Sequence, residues 1–584
     1  MNKTRTYMAS NATLKKPGKS RRSLNLRADW RYYSVCEVLC LLTVAVLWHV
    51  ARLQVMPSED RGFKFLQDQG QARTLRNEEI TAYRGVITDR HGEPLAVSTP
   101  VESIWANPQI LSANSAARAV LAKALQLDIE QLDQKLKLYR EKEFVYLKRH
   151  LPPQDAEKIL ALKLPGVFSQ REYRRYYPAG EVAAHLVGFT DVNDKGQEGM
   201  ELAFDDWLKG EPGAKQVLKD LKGQTIKEVQ LLQSARSGKD LQLSIDLRLQ
   251  YLAYRELKTA VNEYGAKSGS VVVLDVATGE VLAMANQPAY NHNDRSKLDP
   301  RALRNRALTD QFEPGSTIKP IAMMAALESG NYLPSTKIDT SPGHYRVGKK
   351  TYLDPVNYGV IDLTKIITKS SQVGMSKVAL SLEPQKIRDM YFRLGLGQAT
   401  GTGFPGESNG VLPNYTRWHP IVHASYAFGY GLSLTPLQLA QAYSVIAANG
   451  ERKPVSLLRL DVKPDLESVV NKRYTDQVMT MLRTVIQKGG TATRARLASY
   501  PVAGKTGTVH KVKSGERGYQ DSAYMALFAG IAPSNDPKIV TVVMINEPGD
   551  VRYHGGDVAA PIFAKVAEGV LRLLRVPPVQ EPVS

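Results

Sequence analysis

The spacing of apolar and polar positions changes along the chain, and the changes divide it into regions. From about Tyr33 to Val55 the run is mostly apolar, with Leu39, Leu41, Leu42, Val44, Val46, Leu47 and Val50 inside it and Trp30, Tyr32, Tyr33 and Trp48 near its ends. Such a run is long enough to cross a bilayer as one helix, and Glu37, His49 and Arg52 can snorkel towards headgroups. Residues 56–80 are polar and charged and read as a stalk. Two β-rich runs then flank a His91-Gly92 turn within 84–97. Apolar spacing predicts helices over 115–127 and 152–163, the second opened by Pro152-Pro153. The polar run 234–239 marks a boundary near Asp240.

Beyond that boundary the pattern predicts a helix over about 247–263 and a hairpin over 270–284, where Gly279 supplies the positive φ of the turn. Helices dominate from about 316 to 490. Strands return at 500–510, 522–533 and 538–547, and an apolar helix follows at 561–574. Strands at both ends with helices between them require one sheet assembled from distant segments. The fold class is therefore α/β (α+β) and multidomain, with a helix-covered sheet instead of a repeating βαβ barrel. The expected organisation is a basic tail (1–32), a transmembrane anchor (33–55), an elongated β-rich pedestal (56–240), a larger sheet-and-helix domain (241–576) and a short Pro-rich disordered tail (577–584).

Composition narrows the picture. The chain has 584 residues, 43% of them hydrophobic, enough for a substantial core. Cys36 and Cys40 are its only cysteines and both lie in the apolar run, so stability has to come from packing and not from disulfides. Of the net charge of +19, residues 1–32 supply +8, from nine Lys/Arg against one Asp. That leader orients the anchor with its N-terminus in the cytoplasm and everything beyond residue 55 outside. A cleaved signal peptide fits less well, because Trp48-His49-Val50-Ala51 lacks a small residue three places before a cut. The remaining charge is spread thinly and no nucleic-acid motif accompanies it, so no nucleic-acid partner is expected.

Three short strings carry the chemistry. Ser316 and Lys319, in Pro314-Gly315-Ser316-Thr317-Ile318-Lys319, stand three residues apart where a turn enters an apolar run. On a helix they share a face, so an unprotonated amine can reach the hydroxyl, and the free N–H groups of a helix start favour an oxyanion. A lysine serves as a base at neutral pH only if burial or a second cation lowers its pKa. Lys505, in Lys505-Thr506-Gly507-Thr508, is a candidate for that cation. Between them lies Ser370-Ser371-Gln372, where either serine suits an N-cap.

In this order the strings resemble the S-x-x-K, S-x-N and K-T-G set of penicillin-binding proteins. The single anchor, the Arg-Gly-Val-Ile-Thr-Asp-Arg run at 84–90 and the Tyr-Tyr-Pro-x-Gly-Glu run at 176–181 are most similar to the division-type class B members, septal peptidoglycan D,D-transpeptidases. The resemblance implies Ser316 as nucleophile, Lys319 as proton acceptor and Ser370, heading a helix, as proton relay. It implies substrate binding by Gln372, Lys505, Thr506, Gly507 and Thr508, and an oxyanion hole from the N–H groups of Ser316 and Thr508. Gly507 would leave room for a substrate backbone along an edge strand. It implies no metal or cofactor. The implied partners are peptidoglycan stem peptides, β-lactams as covalent inhibitors, a polytopic membrane glycosyltransferase and other division membrane proteins. Gln372 stands where the family has asparagine, which puts acylation rate and β-lactam affinity in question. His185 and Glu201, in pedestal-like runs, read as structural residues. An elongation-type enzyme, a conditional second copy, and a non-enzymatic scaffold or β-lactam sensor share parts of this pattern. A β-lactamase would need a deacylating carboxylate motif that the sequence does not display.

Overall fold

The structure, a computed structural model, describes residues 26–54, 75–219, 225–296, 298–512, 518–549 and 552–579. The chain divides into two units, Met1–Glu78 with Lys215–Leu231 and Glu79–Ala214 with Leu232–Ser584. In the first, Leu26–Gln54 is one helix. Its stretch Trp30–Arg52 has a mean hydropathy of 2.0 and none of it is buried against protein. At 1.5 Å per residue it reaches about 34 Å, enough to cross a hydrocarbon core of about 30 Å. Leu75–Ile80 is a strand at the edge of a three-stranded sheet with Gly213–Lys219 in the middle and Thr225–Gln233 beyond. The expected stalk therefore ends in paired β-structure from residue 75, while its earlier part lies outside the described residues.

In the second unit, the long strand Pro94–Ala106 pairs antiparallel with Val167–Tyr176, from Val97↔Tyr176 to Ala106↔Val167, and with Val145–Leu151. Helices Ser115–Leu125, Ile129–Leu138 and Pro153–Leu160 cover it, burying Ile104, Leu111, Leu121, Leu125 and Leu136 in a core of their own. Pro152 is the N-cap and Pro153 the first helical residue, where a missing N–H is harmless. The motif residues of this region meet in a buried ion cluster. Glu201 accepts from Arg84 Nε at 2.7 Å and from Arg175 Nε at 2.6 Å, and Arg84 also reaches Asp205. His185 is packed: its Nε2–H donates to Ala302 O at 2.8 Å, and burial pushes its pKa down to about 4.

The larger core surrounds a five-stranded antiparallel sheet of β1 (Ser268–Asp275), β2 (Val281–Gln287), β3 (Ala503–Val512), β4 (Tyr519–Ala532) and β5 (Ile539–Asn546). Its order is β2-β1-β5-β4-β3, so the two early strands and three late strands form one sheet and β3 is an edge. β1, β2 and β5 are almost continuously buried, as a sheet covered on both faces requires. Helices Leu247–Glu263 and Ala559–Leu573 pack together on one face, and Pro436–Ala447, with Lys472–Ile486 against it, covers the other. Gly279 closes the β1–β2 turn at φ +77°.

Candidate active site

Ser316 is positioned by a turn that glycines allow to seat closely on β3. Gly315 has φ +53°, and a Cβ there would stand 2.4 Å from Val509 Cγ2. Gly315–Ile318 forms one 3₁₀ turn that runs directly into the helix Lys319–Glu328. With three residues per turn, Ser316 and Lys319 eclipse each other more closely than on an α-helix. Thr317 Oγ1 donates to Pro314 O and Tyr443 Oη donates to Thr317 O, both at 2.7 Å. A Cβ on Gly507 would lie 2.9 Å from Thr317 Cγ2 and 3.2 Å from Pro314 O. The space that the sequence reading reserved for a substrate backbone is thus taken, on this side, by the protein's own turn.

The helix after Ser316 is apolar all round and buried from Lys319 to Leu327. Lys319 is consequently 0% exposed, as is Lys505 on β3. Ser370 joins them: its Oγ accepts from Lys319 Nζ at 3.2 Å and from Lys505 Nζ at 3.0 Å, and its carbonyl accepts from Lys319 Nζ at 2.6 Å. Burial pushes Lys319 down to about 7, against the opposing pull of Asp354. Lys505 is pushed well below its ordinary value, again by burial first and then by the charge of Lys319. Burial is therefore the first cause of the lowered Lys319 pKa, which a lysine needs if it is to act as a base at neutral pH. Both amines bond to the one Ser370 hydroxyl, and a charge on Lys319 disfavours a charge on Lys505.

Ser370 does not head a helix, as the sequence suggested. It ends the helix Leu363–Lys369 in the left-handed conformation, φ +58° and ψ +35°, and Ser371 is the N-cap of Gln372–Leu380. A left-handed serine is unfavourable by itself and persists only where its surroundings fix it. Here the bonds from the two lysines meet both its carbonyl and its hydroxyl.

Comparisons with known proteins show the family to which this site belongs. Residues 269–568 match the family model of the penicillin-binding protein transpeptidase domain, and residues 79–243 that of the penicillin-binding protein dimerisation domain. The peptidoglycan D,D-transpeptidase FtsI of Escherichia coli K12 is 41% identical over 577 residues, 98% of this chain and 96% of the relative. The probable peptidoglycan D,D-transpeptidase PbpC of Pseudomonas aeruginosa is 41% identical over 552 residues, covering 94% and 96%. The chain belongs to the class B penicillin-binding proteins. Among solved structures, penicillin-binding protein 3 of Mycobacterium tuberculosis complexed with aztreonam aligns at a TM-score of 0.67 and 28% identity, covering 86% of this chain and 98% of that one.

Within this class B site one organising residue escaped the sequence reading. Asp354 accepts from Ser371 Oγ at 2.5 Å and from the backbone N–H groups of Gln372 at 2.6 Å and Val373 at 3.2 Å. It thereby caps the start of Gln372–Leu380 and fixes the segment in which Ser370 turns. It sits in a loop after the short strand Lys350–Leu353, and nothing in Leu353-Asp354-Pro355 signals a partner 17 residues ahead. Gln372 is the first residue of the capped helix and half-buried. Among the described residues its side-chain amide has no hydrogen-bond partner. On the β3 side, Thr506 Oγ1 meets Thr491 Oγ1 at 3.0 Å and Thr508 Oγ1 accepts from Gly555 N–H at 3.0 Å.

Proposed function

We propose that this class B penicillin-binding protein is a division-type peptidoglycan D,D-transpeptidase whose acyl-enzyme forms on Ser316. One observation carries the residue roles: a single hydroxyl, Ser370 Oγ, stands between two fully buried amines, with Ser316 one 3₁₀ turn before the first of them. Ser316 Oγ attacks the carbonyl of the penultimate D-alanine and its proton passes to Lys319 Nζ. The N–H groups of Ser316 and Thr508 hold the oxyanion. As the C–N bond breaks, Ser370 relays the proton from Lys319 to the leaving amine, and D-alanine departs. The amine of a second stem peptide then attacks the ester, and the same groups run the proton transfers in reverse. Lys505 with Thr506 or Thr508 binds the substrate carboxylate, and the Gln372 amide donates to the substrate backbone. Mass spectrometry of the penicillin adduct tests the assignment: it is expected on Ser316, and an adduct on Ser370 or Ser371 would sink it.

The helix at 33–55 is read as an uncleaved single-pass anchor in the inner membrane, with the basic residues 1–32 cytoplasmic, the pedestal at 56–240 and the transpeptidase domain at 241–576 periplasmic. The two matched domains supply cross-linking, so strand polymerisation falls to a polytopic membrane glycosyltransferase among the division proteins. A truncation starting near residue 60 is expected to be soluble and still acylated, while the full chain fractionates with the membrane. Recovery from cells of a protein lacking residues 1–51 would show a cut signal peptide instead.

Gln372 keeps the amide of the family's asparagine but carries it one methylene further out. Losing a positioned donor costs about 10²–10³ in rate, and displacing one costs less. Gln372→Asn is expected to accelerate β-lactam acylation by a factor of up to about 10², and Gln372→Ala to slow it. A slower Gln372→Asn enzyme at unchanged stability would mean that the site is built around glutamine.

A further inference from the structure

Between the pedestal strand that carries Arg175 and the segment that carries His292 and Arg295 lies a cavity of about 150 Å³. It contains none of the residues assigned above to acyl transfer. Arg175 is 6% exposed; Nε and Nη1 are taken by Glu201, Arg84 O and Ser98 Oγ, whereas Nη2 has no partner. His292 is 3% exposed and donates Nδ1–H to Gly188 O at 2.8 Å, and the backbone of Gly180 also faces its ring. Asp194 Oδ1 is buried and, like Arg175 Nη2, unpartnered. Buried polar groups are nearly always met, so an open donor and an open acceptor among the residues lining one cavity point to something that binds there.

What fits must accept from Arg175 and donate to Asp194. A simple anion satisfies only the first requirement and a simple amine only the second, while a single water meets both but fills only a small part of the cavity. We propose that the cavity binds a small zwitterionic α-amino acid, its carboxylate on Arg175 with Arg295 at the rim and its ammonium on Asp194. Pedestal and transpeptidase residues both line the cavity, so the ligand would tie the two domains together. That D-alanine is the member of this class it meets rests on the reaction proposed above, which releases it.

The test uses the full chain in detergent, acylated beforehand with penicillin so that the catalytic cleft is filled. Equilibrium dialysis with labelled D-alanine and glycine is expected to give one saturable site per chain, with acetate and methylammonium each binding at least about tenfold more weakly. Asp194→Asn should weaken amino-acid binding about tenfold or more, and Arg295→Gln should weaken it by a smaller factor. No saturable binding, equal binding of acetate, loss of binding on acylation, or indifference to both substitutions would each overturn the proposal. Penicillin labelling of every variant reports folding and tests the acyl-transfer reading separately. A chain that binds amino acids but does not label would overturn that reading and leave the cavity standing.

Discussion

Ser316→Ala is expected to abolish covalent labelling by a fluorescent penicillin, and Lys319→Ala to slow it by about 10²–10⁴, the contribution of a positioned base. The two effects differ because one variant lacks the bond-forming atom while the other lacks only its proton acceptor. The pH profile makes the second role specific. Lys319 accepts a proton only when neutral, and burial holds its pKa at about 7. The acylation rate constant should therefore rise with pH through about 7 and level off above it, gaining roughly tenfold between pH 6 and pH 8. In Lys319→Ala this rise should disappear. A profile that falls with pH over this range, or a rise retained in Lys319→Ala, would assign the base to another group. Lys505 is the alternative in reach, since it shares Ser370 Oγ and is also pushed down by burial.

What the sequence conveyed about this site followed from local rules, and what it hid depended on tertiary contacts. The turn into the helix Lys319–Glu328 was legible because Pro314-Gly315 breaks one pattern just where an apolar run begins. The strands expected at 500–510, 522–533 and 538–547 were legible from their β-branched and apolar runs, and their joining the 270–284 hairpin in one sheet followed from strands at both ends with helices between. Ser370 was misread because a Ser-Ser pair before an apolar run is the usual mark of a helix start, and no glycine announces a left-handed residue. Its conformation is fixed by Lys319 and Lys505, 51 and 135 residues away. Asp354 was invisible for the same reason. Gly507 looked like a concession to the substrate because nothing in its neighbours along the chain measures how closely Thr317 approaches. The pedestal motifs were noticed as strings, but only the fold explains them: Arg84, Arg175 and Glu201 are far apart in sequence and meet in one buried cluster.

That cluster carries the largest expected effect on stability. Glu201 is fully buried and its two carboxylate oxygens each accept from a different buried guanidinium, Arg84 and Arg175. Glu201→Gln keeps the shape and removes the charge, leaving two buried cations with Asp205 on Arg84 and the half-buried Asp194 near both. Breaking a buried pair in this way costs about 3–5 kcal/mol, more than two decades in the unfolding equilibrium. Proteolytic susceptibility and thermal unfolding of the pedestal should both report it. Asp206→Asn removes one end of a solvent-exposed pair with Lys209 and should leave both measurements unchanged. Uncompensated charge is separable from lost packing by replacing the whole cluster. Combining Glu201→Leu with Arg84→Met, Arg175→Met and Asp205→Asn should recover most of the loss, because Asp205, the other partner of Arg84, is then not left as an unpaired ion. If Glu201→Gln instead unfolds within about 1 kcal/mol of the parent, water or Asp194 already balances the two arginines, and the cluster does not hold the pedestal together in the way its geometry implies.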